Sequence, residues 1–267
     1  KFMNGIKINT GKYLMKVFNT EYSYDKQKVK YTANRQTDPV IASLINSALG
    51  DAKTVINIGA GTGSYEPADR ILTAVEPSDI MRAQRGPQKV PAIAAFAEEL
   101  PFEDNSFDAS MALLTIHHWP DLNKGLLEMK RVTKNTMVIM TFDPDDVHRF
   151  WLADYCPEMV DIDRARSPKI KYITDTLGSS FEIIKIPVPI DCIDGFNEAF
   201  YARPEAFLDE SIRRSQSFWD FLPREKEMEA VKKLKEDLDS GNWDKKYGHL
   251  KNQKEFIGAL RLIIIKK

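Results

Sequence analysis

Three stretches of this 267-residue chain carry side chains whose types and spacing could do chemistry. The first is Gly59-Ala60-Gly61-Thr62-Gly63, three glycines on alternate positions behind the apolar, β-branched run Thr54-Val55-Ile56-Asn57-Ile58. Glycine there admits unusual dihedrals and lets a ligand approach the backbone with no Cβ in the way. The second is Glu76, which closes the short apolar run Leu72-Thr73-Ala74-Val75. It lies about 17 residues beyond Gly59, near the spacing at which an acid meets a ribose in nucleotide-binding folds. A carboxylate at that point can accept from both the 2′- and 3′-hydroxyls of an adenosine. The third is Thr115-Ile116-His117-His118-Trp119-Pro120-Asp121, at the end of another apolar run. A histidine is neutral enough near pH 7 to take a proton, and His117 is the candidate base. Adjacent side chains are expected to diverge, so His117 and His118 should not face one substrate unless the backbone turns. Neither a carboxylate pair nor a further histidine supplies metal-ligand spacing.

These groups need elements to position them. Residues 54–58 read as a central parallel strand, buried on both faces and hydrophobic without alternation. In open α/β sheets ligands bind at the carboxyl ends of such strands. Asp38-Pro39 opens a helix as N-cap and first-turn proline, with Val40, Ile41, Leu44, Ile45, Ala48 and Leu49 at helical spacing and Gly50 as its stop. Ser78 caps a helix running to Arg85, with Met81 one turn in. Val90 to Phe96 reads as a third strand, Phe107 to Leu114 as a fourth and Thr136 to Phe142 as a fifth. Leu122, Leu126, Leu127, Met129 and Val132 mark a covering helix before the fifth. Alternating strands and helices argue a doubly wound parallel sheet with right-handed crossovers.

Beyond residue 142 the pattern changes. Ile170 to Leu177 reads as a helix, Phe181 to Val188 and Phe256 to Ile265 as strands. Residues 224–240 form a charged amphipathic helix with Met228, Val231, Leu234 and Leu238 as its apolar stripe. The aromatic stretch 189–222 is too long for a simple connection and carries Asp191, Asp194 and Arg203. With the residues after 142 it reads as a cap over the strand ends, an apolar pocket with a few polar groups that suits a small-molecule acceptor. Any one of its aromatics is better read as the cap's own core.

Two ligand classes fit the glycine turn and the acid: NAD(P) and S-adenosylmethionine. Ser64 stands where a dinucleotide turn has its third glycine, and the next segment is short, proline-broken and acidic. Glu66 and Asp69 would repel a pyrophosphate and tolerate a sulfonium beside an ammonium group, which favours S-adenosylmethionine. Val55 to Gly63 then resembles motif I of class I S-adenosylmethionine-dependent methyltransferases, and Val75-Glu76-Pro77-Ser78-Asp79-Ile80-Met81 resembles their motif II. Ala97-Glu98-Glu99-Leu100-Pro101-Phe102 through Asp108 resembles the segment that passes the adenine into the fourth strand. The resemblance is to the type 11-like members with a substrate-cap insertion and covers roughly residues 24–142.

That resemblance implies a Rossmann-like α/β sheet, mostly parallel with an antiparallel strand near its edge, and an inserted helical cap. It implies an N-terminal lid or helix over 1–38, a cofactor-binding core over 39–142, cap insertions over 143–167 and 189–250, and the rest of the sheet over 168–188 and 251–267. The cofactor is S-adenosyl-L-methionine. Tyr24 and Arg35, on one helix face with Tyr31, would reach its methionine carboxylate, to which an arginine fork is suited. Gly59, Ala60, Gly61, Gly63 and Glu76 would hold the ribose end, and Pro77, Met81, Ala97, Glu98 and Leu114 would line the rest. Many relatives have Asp where this chain has Phe96; Phe96 cannot accept from the adenine amino group, so that task falls to Glu98 and the backbone at Ala97. Asp194 and Arg203 are the cap's candidates for orienting substrate.

The composition is that of an ordinary globular enzyme, with 43% hydrophobic and 29% charged residues and a net charge of -1. Near-neutral charge argues against a nucleic-acid partner, as does the lack of an Asn-Pro-Pro-aromatic motif or a basic stripe. Cys156 and Cys192 indicate neither a metal site nor a disulfide framework, and a reducing cytoplasm is the expected compartment. No apolar run approaches the ~20 residues of a membrane span. The expected activity is methyl transfer to an oxygen, nitrogen or carbon atom of a small organic molecule by a monomer or homodimer. An NAD(P)-dependent oxidoreductase and a catalytically inactive cofactor-binding protein are the competing readings.

Overall fold

Residues 35–178 and 180–267 are described by the computed structural model of this chain. Tyr24, Tyr31 and the greater part of the expected lid over 1–38 lie outside the described residues. The expected strands are present as β1 (Thr54–Ile58), β2 (Ile71–Val75), β3 (Ala92–Ile93), β4 (Phe107–Leu113), β5 (Thr133–Phe142) and β6 (Phe181–Lys185). The short strands β7 (Val188–Pro189) and β8 (Glu255–Phe256) pair with each other, and β9 (Leu260–Lys266) closes the chain. Among the described residues the main sheet has seven strands in the order β3-β2-β1-β4-β5-β9-β6. Strands β1 to β5 run parallel, and β9 lies antiparallel between β5 and β6, one place in from the edge.

Side chains alternate across each strand, and that period divides the apolar runs between two layers. Val55, Met111, Val138, Met140 and Leu262 pack with Ile41 and Ile45 of helix α1 (Pro39–Leu49) on one face. Ile56, Ile58, Met137, Ile139 and Ile263 pack on the other face with Leu126 and Met129 of α3 (Leu122–Val132) and Ile173 of α5 (Ile170–Leu177). The caps are those the sequence calls for. Asp38 accepts from the N–H groups of Val40 and Ile41, and Ser78 accepts from Met81 N–H at the start of the short helix α2 (Asp79–Ala83).

A third cluster lies outside the sheet. It joins Phe150, Trp151 and Met159 to Tyr201, Phe207, Trp219 and Trp243, drawn from α4 (Glu158–Arg166), α6 (Glu210–Arg214), α7 (Arg224–Asp239), α8 (Asn242–Tyr247) and the turns between them. The Trp151 indole donates to the Tyr201 carbonyl at 2.9 Å. Most of the aromatics therefore serve this cluster's own packing.

Several expected elements are corrected. The third strand shrinks from Val90–Phe96 to two residues, since it sits at the sheet edge and Pro91 has no N–H to donate. The last strand starts at Leu260, not Phe256, because Glu198 takes the Ala259 N–H at 2.6 Å. The stripe of α7 is shifted: Met228 is 61% exposed, and Glu227 is buried in its place. Arg213 Nε and Arg224 Nη1 donate to Glu227 at 2.8 and 3.0 Å, with Arg214 as a third partner. A carboxylate matched by guanidinium groups can be buried where an unpaired one could not.

Candidate active site

The glycine turn leaves β1 for a cleft of about 320 Å³ at the carboxyl ends of the parallel strands. Gly59 has φ +70°, and a Cβ there would lie 2.1 Å from Thr115 Oγ1 at the end of β4. No other residue fits a position where two strand ends come so close. Gly61, at φ +51°, lines the cleft, and a Cβ there would meet no atom of the described residues within 4 Å. That is the open approach to backbone which a ligand lying on the turn needs.

Glu76 is 6% exposed and lines the same cleft. Its Oε2 accepts from Gly61 N–H at 2.8 Å and its Oε1 from Ser78 N–H at 2.9 Å. Burial pushes its pKa up, and those two N–H groups oppose the rise. Each carboxylate oxygen has two lone pairs, so one on each remains for a ligand. Two acceptors side by side match the 2′- and 3′-hydroxyls of a ribose, and on this test an adenosine fits the residues present.

The far wall of the cleft is Pro77, Met81, Ala97 and Glu98, with Phe96 at its rim. Phe96 is 59% exposed. Glu98 Oε1 accepts from Asp121 N–H at 3.0 Å. Gly63, named from sequence, does not line the cleft; its N–H donates to Ala60 O at 2.9 Å and closes the turn. The acidic segment behind the turn also differs from expectation. Both Glu66 oxygens accept from Arg85 Nη2, at 2.7 and 2.9 Å, and Asn57 Nδ2 donates to one of them at 3.2 Å. Glu66 is therefore neutralised, so its charge does not itself select against a pyrophosphate.

Arg35 lies at the other end. Its Nε donates to Asp194 Oδ1 at 2.6 Å and its Nη2 to Oδ2 at 3.3 Å. Tyr65, held at φ +61°, donates its hydroxyl to the same carboxylate at 2.8 Å. Desolvation, then the Asp194 charge, pushes the Tyr65 pKa up. Asp194 is 1% exposed and reaches neither cavity; instead of orienting a substrate, it holds Arg35 and Tyr65. Arg203 is exposed, donates to the Cys192 and Ala199 carbonyls at 2.7 Å each, and ties the loop down away from both cavities. These are corrections to the two cap candidates: the charge of each is used within the protein.

A smaller cavity of about 70 Å³ adjoins the cleft, and Arg35, Leu114 and His118 line both. Leu114 has φ +52°, a left-handed conformation that a branched side chain adopts only under constraint. It re-aims the chain into the single 3₁₀ turn Ile116–His118. That turn defeats the expected divergence: the imidazole centroids are 4.0 Å apart. His117 lines only the smaller cavity, whereas His118 faces both. Burial first, then the His118 and Arg166 charges, holds His117 well below the usual histidine range. Burial and Arg166 push His118 down to about 3. Both rings are neutral at pH 7.

Sequence reasoning missed most of the smaller cavity. Its other walls include Asp163 and Arg166 of α4, Phe142, Asn197, Gln216 and Phe218. Burial pushes Asp163 up to about 6, against the opposing pull of Arg166. Phe142 was read as the end of the fifth strand, and the others carried only the signal of lying in the stretches read as cap.

A family model described as a methyltransferase domain matches residues 56–141. A crystal structure assigned as a methyltransferase from an antibiotic biosynthesis pathway of Anabaena variabilis is 31% identical, with a TM-score of 0.79 over 87% of this chain and 98% of that one. A S-adenosylmethionine-dependent methyltransferase structure from Thermotoga maritima shares the fold at 17% identity and a TM-score of 0.53. The ubiquinone/menaquinone biosynthesis C-methyltransferase UbiE of Rickettsia prowazekii is 32% identical over 99 residues, which is 34% of this chain and 40% of that protein. A chloroplastic 2-methyl-6-phytyl-1,4-hydroquinone methyltransferase of rice is 28% identical over 118 residues and matched over 33% of its length. The chain thus spans well under half of these curated relatives. Among the described residues no helix is long and apolar enough to cross a membrane.

Proposed function

The chain belongs to the class I S-adenosylmethionine-dependent methyltransferases, and we propose that it methylates an oxygen, nitrogen or carbon atom of a small organic molecule. The observation that carries this reading is the junction of the two cavities at Arg35, Leu114 and His118. When bound, S-adenosylmethionine supplies a methyl group already activated by its sulfonium. The chain's own task is then to hold and orient. Glu76 takes the ribose hydroxyls, Pro77, Met81 and Ala97 enclose the adenine, and Glu98 accepts from its amino group. Arg35, aimed by Asp194, meets the carboxylate of the amino-acid end. Phe142 and Phe218 keep water from the acceptor.

Where the acceptor atom carries a proton, Asp163 is better suited than His117 to remove it. A base works best with a pKa near the working pH. Asp163, pushed up to about 6, meets that condition. His117, held well below its usual range, is a weak base and serves as a hydrogen-bond acceptor on the cavity wall.

Carbon methylation of a quinol ring is the second reading, favoured by the names of the Rickettsia and rice relatives. The experiment is calorimetric titration with S-adenosylhomocysteine and with NAD⁺, then incubation of methyl-labelled S-adenosylmethionine with phenols, amines, amides and quinols. Binding of the first nucleotide alone and label transfer to one acceptor class supports the proposal. Binding of NAD⁺ alone moves the chain to the oxidoreductases, and label on a quinol carbon selects the second reading.

A further inference from the structure

The smaller cavity contains a feature that cofactor binding does not explain. Gln216 is 5% exposed and lines it, and among the described residues neither its Oε1 nor its Nε2 has a hydrogen-bond partner. Its backbone, by contrast, is fixed. The Gln216 N–H donates to Arg213 O at 3.1 Å, and its carbonyl accepts from Trp219 N–H at 3.3 Å. Buried polar side chains are almost always paired, because an orphaned one retains its full desolvation penalty. A fixed backbone holding an unpaired carboxamide on a residue that lines a cavity is the arrangement of a group kept for a ligand. Asn197, also in the lining, repeats the pattern, with Oδ1 buried and without a partner among the described residues.

The donor and acceptor inventory describes what would satisfy them. Gln216 offers an acceptor oxygen beside an NH₂ with two N–H groups, and Asn197 Oδ1 asks for a further donor, which the second N–H of a primary carboxamide supplies. A carboxylate has no donor, and an ether or ketone has none either. A carboxamide or lactam edge has both, side by side, and meets Gln216 with two parallel bonds. Charge narrows the class further. Arg35, already paired with Asp194, and Arg166 share the cavity wall with the Asp163 carboxylate, so neither sign is in excess and an uncharged group is favoured. Arg166 is itself held, donating to Ser217 Oγ at 3.1 Å with its guanidinium 4.2 Å from the Phe221 ring centre. The Phe142, Phe196 and Phe218 rings favour a flat group.

Resting on the methyltransferase reading above, we propose that the smaller cavity is the acceptor subsite, that it takes a flat, uncharged lactam or carboxamide group, and that Gln216 is its specificity-determining residue. Gln216 reads the amide edge while the acceptor atom points past His118 toward the larger cleft.

The test uses ligand-observed NMR with 2-pyridone, a minimal lactam, and N-methyl-2-pyridone, which lacks the donor. The full chain is first saturated with S-adenosylhomocysteine. The expected result is saturable binding of 2-pyridone, with at least about tenfold weaker binding of the N-methyl compound and about tenfold loss in Gln216→Leu and Gln216→Glu. Affinity for S-adenosylhomocysteine is unchanged in both variants. A residue held for a ligand and not for the fold also predicts that Gln216→Leu does not lower Tm, since no protein bond is lost. Equal binding of the two pyridones, no loss in the variants, or no saturable 2-pyridone binding by a protein that binds S-adenosylhomocysteine overturns the proposal. A fall in Tm without loss of 2-pyridone affinity makes Gln216 a structural residue, paired through water, and also overturns it. Failure of S-adenosylhomocysteine to bind overturns the methyltransferase reading itself, and this proposal with it.

Discussion

Replacing Glu76 by alanine separates its two roles. The carboxylate receives one hydrogen bond from the turn at Gly61 and one from Ser78, at 2.8 and 2.9 Å. One lone pair on each oxygen is left for a ribose hydroxyl. A hydrogen bond to a charged group contributes about 1.5–3 kcal/mol, so losing two weakens cofactor binding by about 3–6 kcal/mol, roughly two to four powers of ten in Kd. The fold should suffer less. Alanine strands two N–H groups, but it also removes a carboxylate whose burial raises its pKa and is therefore unfavourable. Calorimetry with S-adenosylhomocysteine gives the first quantity and thermal unfolding the second. A Kd within about threefold of wild type, together with a lowered Tm, would mean that Glu76 only braces the glycine turn. The assignment of the ribose to it would then be wrong.

Asp163→Asn should flatten the acidic limb of the pH–rate profile. If Asp163 takes the acceptor proton, wild-type turnover rises with pH through about 6 as the carboxylate ionises and is lost in the asparagine variant without a change in cofactor Kd; an unchanged profile removes Asp163 from the chemistry. Glu198→Gln should stabilise the protein above neutral pH. Glu198 is buried with its pKa pushed up to about 7 from 4.5, so the folded state holds a proton that the unfolded state releases. That difference makes stability fall as pH rises from about 4.5 to about 7, by about 3 kcal/mol in all. Denaturant unfolding at pH 5 and pH 8 should show the variant gaining most at pH 8, and an equal effect at both values would refute the buried-charge account.

Strands β1, β2, β4 and β5, their order of appearance and the glycine turn were legible because each is written in contiguous residues. A β-branched run that stops at three glycines allows few local structures, and caps such as Asp38 and Ser78 act within three residues of themselves. The edge elements were less legible. A two-residue β3 and a last strand that begins only at Leu260 depend on which neighbour takes their N–H groups. Glu66 looked like a free charge facing the ligand, yet Arg85, 19 positions away, neutralises it. His117 and His118 were expected to diverge, and they lie together because Leu114 turns the chain through a left-handed residue that no motif announces.

By itself, then, the sequence determined the periodicities, the caps, the turn and the place of the acid that closes β2. Each of these follows from local sterics and from the burial of an apolar face. Only the tertiary structure decided how the charges are used. Asp194 clamps Arg35 across 159 positions, Arg203 only ties a loop, and Arg166 and burial together keep two imidazoles neutral. Gln216 acquires meaning only when its amide is found buried and unpaired against a cavity. The physical reason is the same in each case. The energy of a polar group depends on which partners reach it and how much water is excluded, and both are set by residues remote in the chain.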